Sequence, residues 1–195
     1  MYRRADDPWH LSERWYEQRK YDLTVAALPL PRYRRAFEPA CSVGELTLRL
    51  APRCDSLLAC DRVASVVAGT AGRFAGLPRV TVRHMTIPEQ WPAGTFDLIV
   101  LSEVLYYLDE PGFDRVLHHV AATLEPGGTL ATAHWNHPVR EHLSTGEAIA
   151  TRLSQVSGLS LLADHREDDF VLQIHTRAGT DGRTAASPAR REGLV

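Results

Sequence analysis

The sequence predicts an α/β protein built on one seven-stranded, mostly parallel β-sheet with helices on both faces. Along residues 35–156, short apolar or β-branched segments alternate with segments of helical periodicity, which is typical of βαβ units in a parallel sheet. Two further strands, 159–165 and 170–177, have no helix between them. We therefore expect these last two strands to form an antiparallel pair at the edge of the sheet.

Ahead of the sheet, residues 8–28 predict a helix that precedes the main fold. Ser12 is its candidate N-cap, and Pro29 and Pro31 end it because a proline ring blocks the helical backbone. Strand 96–103 is almost entirely apolar, so we expect it to be buried on both faces. The other predicted elements, in chain order, are strand 35–39, helix 45–51, strand 56–61, helix 63–76, strand 80–85, helix 113–124, strand 129–135 and helix 147–156.

The chain is predicted to form one domain with an extension on either side. Residues 1–34 make a helical extension, residues 35–177 the sheet domain, and residues 178–195 a tail. The tail has little apolar content and several Gly, Pro and Ser residues, which predicts disorder.

Composition argues against several classes of function. The 195 residues include 44% hydrophobic and 24% charged residues and carry a net charge of −2, so the chain lacks the basic character of a nucleic-acid-binding protein. No apolar run approaches the roughly 20 residues that span a bilayer, and residues 1–10 contain no apolar core of a secretory signal. The three cysteines show no CxxC spacing, which favours free thiols and a reducing, cytoplasmic location.

The loop Glu38–Gly44 is the first candidate for a ligand site. In an open parallel sheet, ligands bind outside the carboxyl ends of the strands, and a loop that approaches a ligand closely needs small residues. Ala40, Ser42 and Gly44 supply them here. A single glycine is a weak signal, so an ordinary strand-to-helix turn remains the alternative.

Two polar strand ends strengthen the ligand-site interpretation. Asp61 ends the second predicted strand, where a carboxylate can accept hydrogen bonds from both hydroxyls of a ribose. Ser102 and Glu103 end the buried fourth strand, and a polar pair at that position indicates a polar neighbour. The alternative for Asp61 is a solvated strand end.

Together these features resemble the class I S-adenosylmethionine (SAM)-dependent methyltransferases over residues 35–177. The matching parts are the loop Glu38–Gly44, Asp61, the buried strand 96–102 and the turn Pro126–Gly128. The resemblance implies SAM as cofactor and a Rossmann-like fold whose seven-stranded sheet contains one antiparallel strand. Ala40 and Ser42 stand where that family prefers glycine.

A narrower resemblance covers most of the chain. The segments RWYEQRKY, SEVLYYL, GGTLATAHW and HREDDFVLQIHTR look like those of the nodulation-protein-S-type methyltransferases. Those enzymes N-methylate the free amine of a de-acetylated glucosamine in chitin oligosaccharides. The resemblance implies methyl transfer to an amine, or a hydroxyl, of a small polar acceptor such as an amino sugar, with the first helix as a lid over the cofactor.

The resemblance also implies which residues hold the cofactor. The segment HMTI lacks the acidic residue that often meets the adenine amino group in the broad family, so Thr86 and neighbouring backbone would take that role. Tyr21 or Lys20 would lie near the carboxylate end of the cofactor. The implied contacts are Tyr21, Glu38, Ala40, Gly44, Asp61, Arg62, Thr86, Ile87 and Ser102.

Methyl transfer to an amine needs the amine unprotonated, so a base must remove a proton from an ammonium. Glu103 and His134 are the two candidates, because they follow the fourth and fifth strands and could line one cleft. Glu103 could instead hold the substrate or cap a helix. His134 could instead pack beside Trp135.

Aromatic residues predict a wall for the substrate, since aromatic faces pack on the apolar faces of sugar rings. Core packing is the alternative, and solvation is the alternative for Lys20, the only lysine of the chain. The histidines at 118, 119, 134, 137 and 142 have no regular ligand spacing, so we expect no metal site. The predicted substrate contacts are Trp15, Tyr16, Lys20, Tyr106, Tyr107 and Trp135.

Two other functions compete with this interpretation. An NAD(P)-dependent oxidoreductase on a similar sheet would carry GxGxxG after the first strand, and this chain has one glycine there. A catalytically silent SAM-binding protein would explain the loss of glycines. No Walker A or GxSxG sequence is present.

Overall fold

The computed structural model describes residue 7, residues 9–179 and residues 186–195. Its helices and strands, in chain order, are α1 Trp15–Ala26, β1 Tyr33–Pro39, α2 Glu45–Leu50, β2 Cys54–Asp61, α3 Ala64–Arg73, β3 Val80–His84, β4 Phe96–Ser102, α4 Glu110–Thr123, β5 Leu124–Trp135, α5 Gly146–Leu153, β6 Leu159–Arg166, β7 Phe170–Arg177 and α6 Pro188–Arg191. Short 3₁₀ turns follow α2 at Ala51–Arg53 and β4 at Leu105–Tyr107. No helix in these ranges has the length and apolar character to cross a membrane.

The seven strands form one sheet in the order β3-β2-β1-β4-β5-β7-β6. β1 pairs in parallel with both β2 and β4, so the strand order reverses beside β1. β7 runs antiparallel to both of its neighbours, β5 and β6. The predicted α/β fold with its antiparallel edge pair is confirmed, and β7, the second strand from the edge, is the one that runs against the others.

Two apolar clusters fill the two sides of the sheet. Tyr21 of α1 and Leu50 of α2 belong to one cluster, while Phe113 and Val116 of α4 and Ile149 of α5 belong to the other. Helices therefore cover both faces, with α1 and α2 on one side and α4 and α5 on the opposite side.

The start of α1 differs from the prediction. The N-cap is Arg14 and no side chain caps the helix. The Ser12 backbone N–H and hydroxyl both donate to Asp7 Oδ2, each at 2.9 Å. Because Asp7 engages Ser12 in a turn before the helix, Ser12 is not the cap, and α1 begins three residues later, at Trp15.

The PGG segment also differs from the prediction of a turn between α4 and β5. β5 already begins at Leu124, and the pairing with β4 shifts between Phe96 and Leu98. Pro126–Gly128 therefore lies in an irregularity of the strand, where Gly127 adopts a φ of 76°. Glycine tolerates this backbone at low cost, which explains the motif as a local bulge rather than a helix stop.

The limits of the predicted domain and tail stay predictions. Within the predicted tail, residues 180–185 lie outside the described residues, and Pro188–Arg191 forms a single helical turn.

Candidate functional site

The loop between β1 and α2 adopts a glycine-like backbone at residues that are not glycine. φ is 58° at Ala40, 49° at Ser42 and 83° at Gly44. A residue with a Cβ in this left-handed region costs about 1–3 kcal/mol. The loop therefore keeps the left-handed backbone of a glycine-rich turn, although only one glycine remains.

Neighbouring elements hold this loop in place. The Ser42 carbonyl accepts a hydrogen bond from the Thr70 hydroxyl of α3 at 2.8 Å, and the Val43 carbonyl accepts one from Arg73 Nη1 at 2.9 Å. The Cys41 N–H donates to the Cys60 carbonyl of β2 at 2.9 Å. These contacts offset the cost of the left-handed residues.

Position 44 requires glycine for two reasons, the left-handed backbone and the lack of space for a Cβ atom. A Cβ at this position would lie 2.7 Å from a ring carbon of Phe74 and 2.9 Å from the Thr70 methyl. α3 thus packs directly against the end of the loop, and only glycine fits there.

Asp61 lies at the end of β2 with its carboxylate turned to this loop. Oδ2 accepts from the Ser42 N–H at 3.1 Å and Oδ1 from the Val63 N–H at 2.9 Å. The residue is 6% exposed, and burial raises its pKa against the opposing effect of these bonds. Each carboxylate oxygen has further acceptor capacity, so the group can still receive hydroxyl donors.

Glu38, at the end of β1, is a buried carboxyl group with spare acceptor capacity. It is 2% exposed, and its Oε2 has no hydrogen-bond partner within the described part of the chain. Burial raises the pKa of Glu38 to about 8, so the group is mostly protonated at neutral pH.

Lys20 joins α1 to the carboxyl end of β4. Its Nζ lies 2.8 Å from Glu103 Oε1 and 3.0 Å from Glu17 Oε2, and 5.1 Å from the centre of the Tyr16 ring. The side chain is 2% exposed, so the alternative of a solvated lysine is wrong. Burial alone would lower the pKa of Lys20, but the two carboxylates raise it above its ordinary value, and the group stays an ammonium.

Glu103 receives three donors. Besides Lys20, the Tyr106 hydroxyl donates to Oε2, and the Trp135 N–H donates to the same oxygen at 3.3 Å. Burial raises the pKa of Glu103, but the positive charge of Lys20 and these donors outweigh burial and hold the pKa below its usual value. Glu103 is therefore a stable anion, suited to holding a cation and poorly suited to accepting a proton. We refer to Glu17, Lys20, Glu103 and Tyr106 as the Lys20 cluster.

His134 is a buried neutral imidazole. It is 1% exposed, and Nε2 accepts from the Leu105 N–H at 3.2 Å. Burial lowers the pKa of His134 to about 4. Because Nε2 is occupied, the ring proton lies on Nδ1 and no free lone pair remains to take a proton from an acceptor. This geometry favours a role in fixing the turn after β4 over the base predicted from the sequence.

The predicted substrate wall is brought together only in part. Tyr16 packs edge-on against Trp135, with ring centres 5.8 Å apart, and Tyr106 packs edge-on against Tyr107 at 4.7 Å. Tyr107 is 43% exposed. Trp15 does not join them, because it is 75% exposed and lines a groove of about 350 Å³ along the outer side of α1.

The remaining predicted cofactor contacts lie around the same sheet edge, except for Tyr21. Ser102 ends β4 with 9% exposure, and Thr86 and Ile87 follow β3 in half-buried positions. Arg62 is exposed beside Asp61. The Tyr21 hydroxyl contacts Glu17, and burial raises the pKa of Tyr21, so this side chain serves the core and the Lys20 cluster.

A family model described as Nodulation protein S matches residues 3–160 of this chain. The chain belongs to the Nodulation protein S family. Named members include Nodulation protein S of Rhizobium tropici, 29% identical over 86% of this chain and 74% of that protein, and that of Sinorhizobium fredii (strain NBRC 101917 / NGR234), 31% identical over 65% of this chain. The chain spans 59% of the length of the S. fredii protein.

Solved structures place this Nodulation protein S family member among methyltransferase folds. N-methyltransferase NodS from Bradyrhizobium japonicum WM9, in complex with S-adenosylhomocysteine (SAH), aligns with a TM-score of 0.78 at 24% identity, over 88% of this chain and 92% of that chain. A Pseudomonas syringae structure provisionally assigned as a methyltransferase aligns with a TM-score of 0.73 at 42% identity, over 84% of this chain and all of that chain. The predicted family and fold are confirmed.

Sequence reasoning missed two residues of this Nodulation protein S family site. Glu17 lies one helical turn before Lys20 and contacts its ammonium; its spacing of three residues was the available signal. His142, considered only as a metal ligand, stacks on Tyr106 with ring centres 3.7 Å apart. The signal for His142 is weak, because its position depends on how the loop after β5 folds back.

Proposed function

We propose that this Nodulation protein S family member is a SAM-dependent methyltransferase that moves a methyl group to an amine of a small polar acceptor, with an amino sugar as the leading candidate. The observation that carries the proposal is the left-handed loop Glu38–Gly44 with the Asp61 carboxylate beside it, at the point where the strand order reverses. Open α/β sheets bind ligands at such a point.

The residues present fit an adenosyl-amino-acid cofactor. Asp61 would hold the ribose hydroxyls, as its two oxygens are fixed by backbone donors and keep acceptor capacity. Glu38 would meet the ammonium of the amino-acid part, since its buried Oε2 has no other partner among the residues described. The positive charge of that ammonium would lower the pKa of Glu38 and make it an accepting carboxylate. Backbone after β3, at Thr86 and Ile87, would meet the base. SAM supplies a sulfonium-bound methyl group that an amine can attack.

The charge of the Lys20 cluster favours an amine over a hydroxyl as acceptor. Glu17 and Glu103 are two carboxylates around the single ammonium of Lys20, which leaves one negative charge in excess. His134 and Glu38 add no charge at neutral pH, because burial lowers the pKa of one to about 4 and raises that of the other to about 8. An excess negative charge at a buried site is best balanced by a cation such as an ammonium.

Tyr16, Trp135 and Tyr107 would supply apolar faces for the acceptor. Tyr106 would not, because it is 4% exposed and stacks on His142. The task left to the protein is to hold the acceptor amine in line with the methyl group and to exclude water. Orientation of this kind supplies about 7–11 kcal/mol of a barrier.

The first experiment is calorimetry with SAH on the wild type and on Asp61→Ala. We expect the wild type to bind and Asp61→Ala to lose about tenfold or more in affinity, since it loses charge-assisted hydrogen bonds to the ribose. Asp55→Ala, at the opposite end of β2 and with a side chain 50% exposed, is the matched control. Equal binding by wild type and Asp61→Ala would remove the ribose role.

The acceptor is found with labelled SAM and a panel of amino sugars, small amines and phenols. Transfer to an amine supports the proposal, transfer to phenols alone would show a hydroxyl acceptor, and transfer to none, with SAH bound, would indicate a silent binding protein. Thermal protection by NAD(P) without SAH binding would favour an oxidoreductase.

A further inference from the structure

Two carboxylates of the Lys20 cluster contact the same ammonium, yet their surroundings differ. Glu103 Oε2 accepts from Tyr106 and from the Trp135 N–H, and its Oε1 accepts from Lys20. Glu17 Oε2 is buried and, among the residues the structure describes, makes no hydrogen bond, although Lys20 Nζ lies 3.0 Å away. Glu17 therefore has the freer acceptor position of the two.

We propose that Glu17 is the catalytic base of the methyl transfer, and that Glu103 and Lys20 hold it in position. This inference rests on the proposed function. Glu17 would take one proton from the acceptor ammonium, which leaves a neutral amine and a neutral carboxyl group. The amine nitrogen then forms a bond to the methyl carbon while the carbon–sulfur bond breaks, and SAH leaves with the sulfur electron pair.

The charge count supports proton uptake by this cluster. With both glutamates ionised and Lys20 charged, the cluster has one negative charge in excess. One added proton makes the cluster neutral, which a buried site favours. The proton would break a hydrogen bond if it went to Glu103, because both oxygens of Glu103 accept from protein donors. At Glu17 Oε2 the proton would weaken the 3.0 Å ion pair with Lys20, but within the described residues it would displace no hydrogen-bond donor.

The surroundings of Glu17 suit contact with an acceptor. Its side chain is 13% exposed, so it is desolvated but reachable. The Tyr16 hydroxyl on the same helix is also buried and, within the described ranges, has no hydrogen-bond partner. The Tyr16 ring packs on Trp135, which brings the predicted substrate wall beside the carboxylate.

The titratable groups around Glu17 come from several elements. Tyr16, Lys20 and Tyr21 face it from α1, and Glu103 and Tyr106 face it from the turn after β4. Three more groups interact electrostatically with residues that surround Glu17. Glu38 of β1 acts on Tyr21, and His134 of β5 interacts with Glu103. Asp169, which precedes β7, acts on Tyr16. The tyrosines stay protonated, because burial raises their pKa, so none of them is an anion that could take the proton.

The test compares Glu17→Gln with wild type on two amines, D-glucosamine, which is largely an ammonium at neutral pH, and aniline, which is neutral there. On glucosamine we expect kcat of Glu17→Gln to be about 10²- to 10⁴-fold lower than that of the wild type. The difference in kcat should become smaller as the pH rises, because more of the glucosamine is then the free amine. On aniline the deficit should be within about threefold, because no proton has to be removed before attack. Glu17→Asp should recover part of the activity.

Matched variants separate a base from a structural role. Glu13→Gln, at a position 78% exposed, should behave like wild type. Glu103→Gln should lower kcat on glucosamine more than on aniline, because it loosens the hold on Glu17, but by less than Glu17→Gln. SAH binding by calorimetry checks that each variant is folded.

Three outcomes contradict the inference. A Glu17→Gln enzyme with near-wild-type kcat on glucosamine, or with equal losses on both amines, would overturn the role of Glu17 and leave the methyltransferase proposal intact. A wild type that binds SAH but methylates no amine would overturn the proposed amine acceptor, and this inference with it.

Discussion

Glu38 combines a buried position with a polar atom that finds no protein donor in the described structure. A group of this kind weakens the fold, and such costs concentrate at functional sites. Its contribution to stability should therefore depend on pH and should conflict with its contribution to cofactor binding.

Glu38→Gln tests this conflict. Burial raises the pKa of Glu38 from 4.5 to about 8, so the folded chain holds this proton more tightly than the unfolded chain. The stability contributed by the proton is fully present below pH 4.5 and is lost as the pH rises to about 8. As the pH rises across this window, the free energy of unfolding measured with urea should therefore increase for Glu38→Gln relative to the wild type. The affinity of Glu38→Gln for SAH should be lower than that of the wild type.

Glu89→Gln, with a side chain 59% exposed, is the control for Glu38→Gln. Its pH profile should run parallel to that of the wild type. Parallel profiles for Glu38→Gln as well would mean that Glu38 is ionised in the folded chain.

Gly44 and Gly69 give opposite predictions from the same substitution. Gly44→Ala should destabilise the protein by about 1–3 kcal/mol, because the residue has a φ of 83° and its Cβ would meet Phe74 at 2.7 Å. Gly69, within α3, has no atom within 4 Å of such a Cβ, so Gly69→Ala should stabilise the protein by about 0.5–1 kcal/mol. Chemical denaturation measures both, and a neutral Gly44→Ala would contradict the packing of α3 against the loop.

At the scale of elements, α1 is fastened to the sheet at both of its sides. Lys20 binds Glu103 after β4, and Arg19 binds Glu167, between β6 and β7, through two hydrogen bonds of 2.8 and 2.6 Å. The Arg19 guanidinium, with a smaller effect of His165, holds the pKa of Glu167 at about 2. α1 is thus tied to the carboxyl end of β4 and to the turn between β6 and β7.

Arg19→Ala should loosen α1 without unfolding the sheet. The pair is partly exposed, so we expect only a small loss in the free energy of unfolding. Hydrogen exchange should become faster in α1 and stay unchanged in β4. Arg115→Ala, which removes a surface pair with Glu89, is the control and should leave α1 unaffected. Unchanged exchange in α1 would show that Lys20 and apolar packing hold the helix alone.

At the scale of the whole molecule, local periodicity was enough to predict the fold. β4 is almost entirely apolar because it is central and covered on both faces. The β6–β7 pair lacks a connecting helix, which determined its antiparallel direction. Element ends were less accurate: Asp7 rather than the helix engages Ser12, and Pro126–Gly128 forms a bulge within β5. Both depend on contacts that the sequence pattern does not encode.

The site could be located from the sequence but its chemistry could not. Strand ends placed Glu38, Asp61 and Glu103 at one edge of the sheet, as found. Which partner each carboxylate meets depends on how α1 docks, and the docking of α1 buries Lys20. Likewise His134 is occupied by the Leu105 N–H, a contact made only when the turn after β4 closes.

Lys20 is the only lysine among the 195 residues, and its ammonium is sealed beneath α1. Reagents that acylate primary amines therefore have no accessible side chain to modify while the helix is seated. Mass spectrometry after brief acylation would report adduct at this single position only from molecules whose helix has lifted. Acylation of Lys20 would thus report movement of α1 away from the sheet, with no label introduced by mutation.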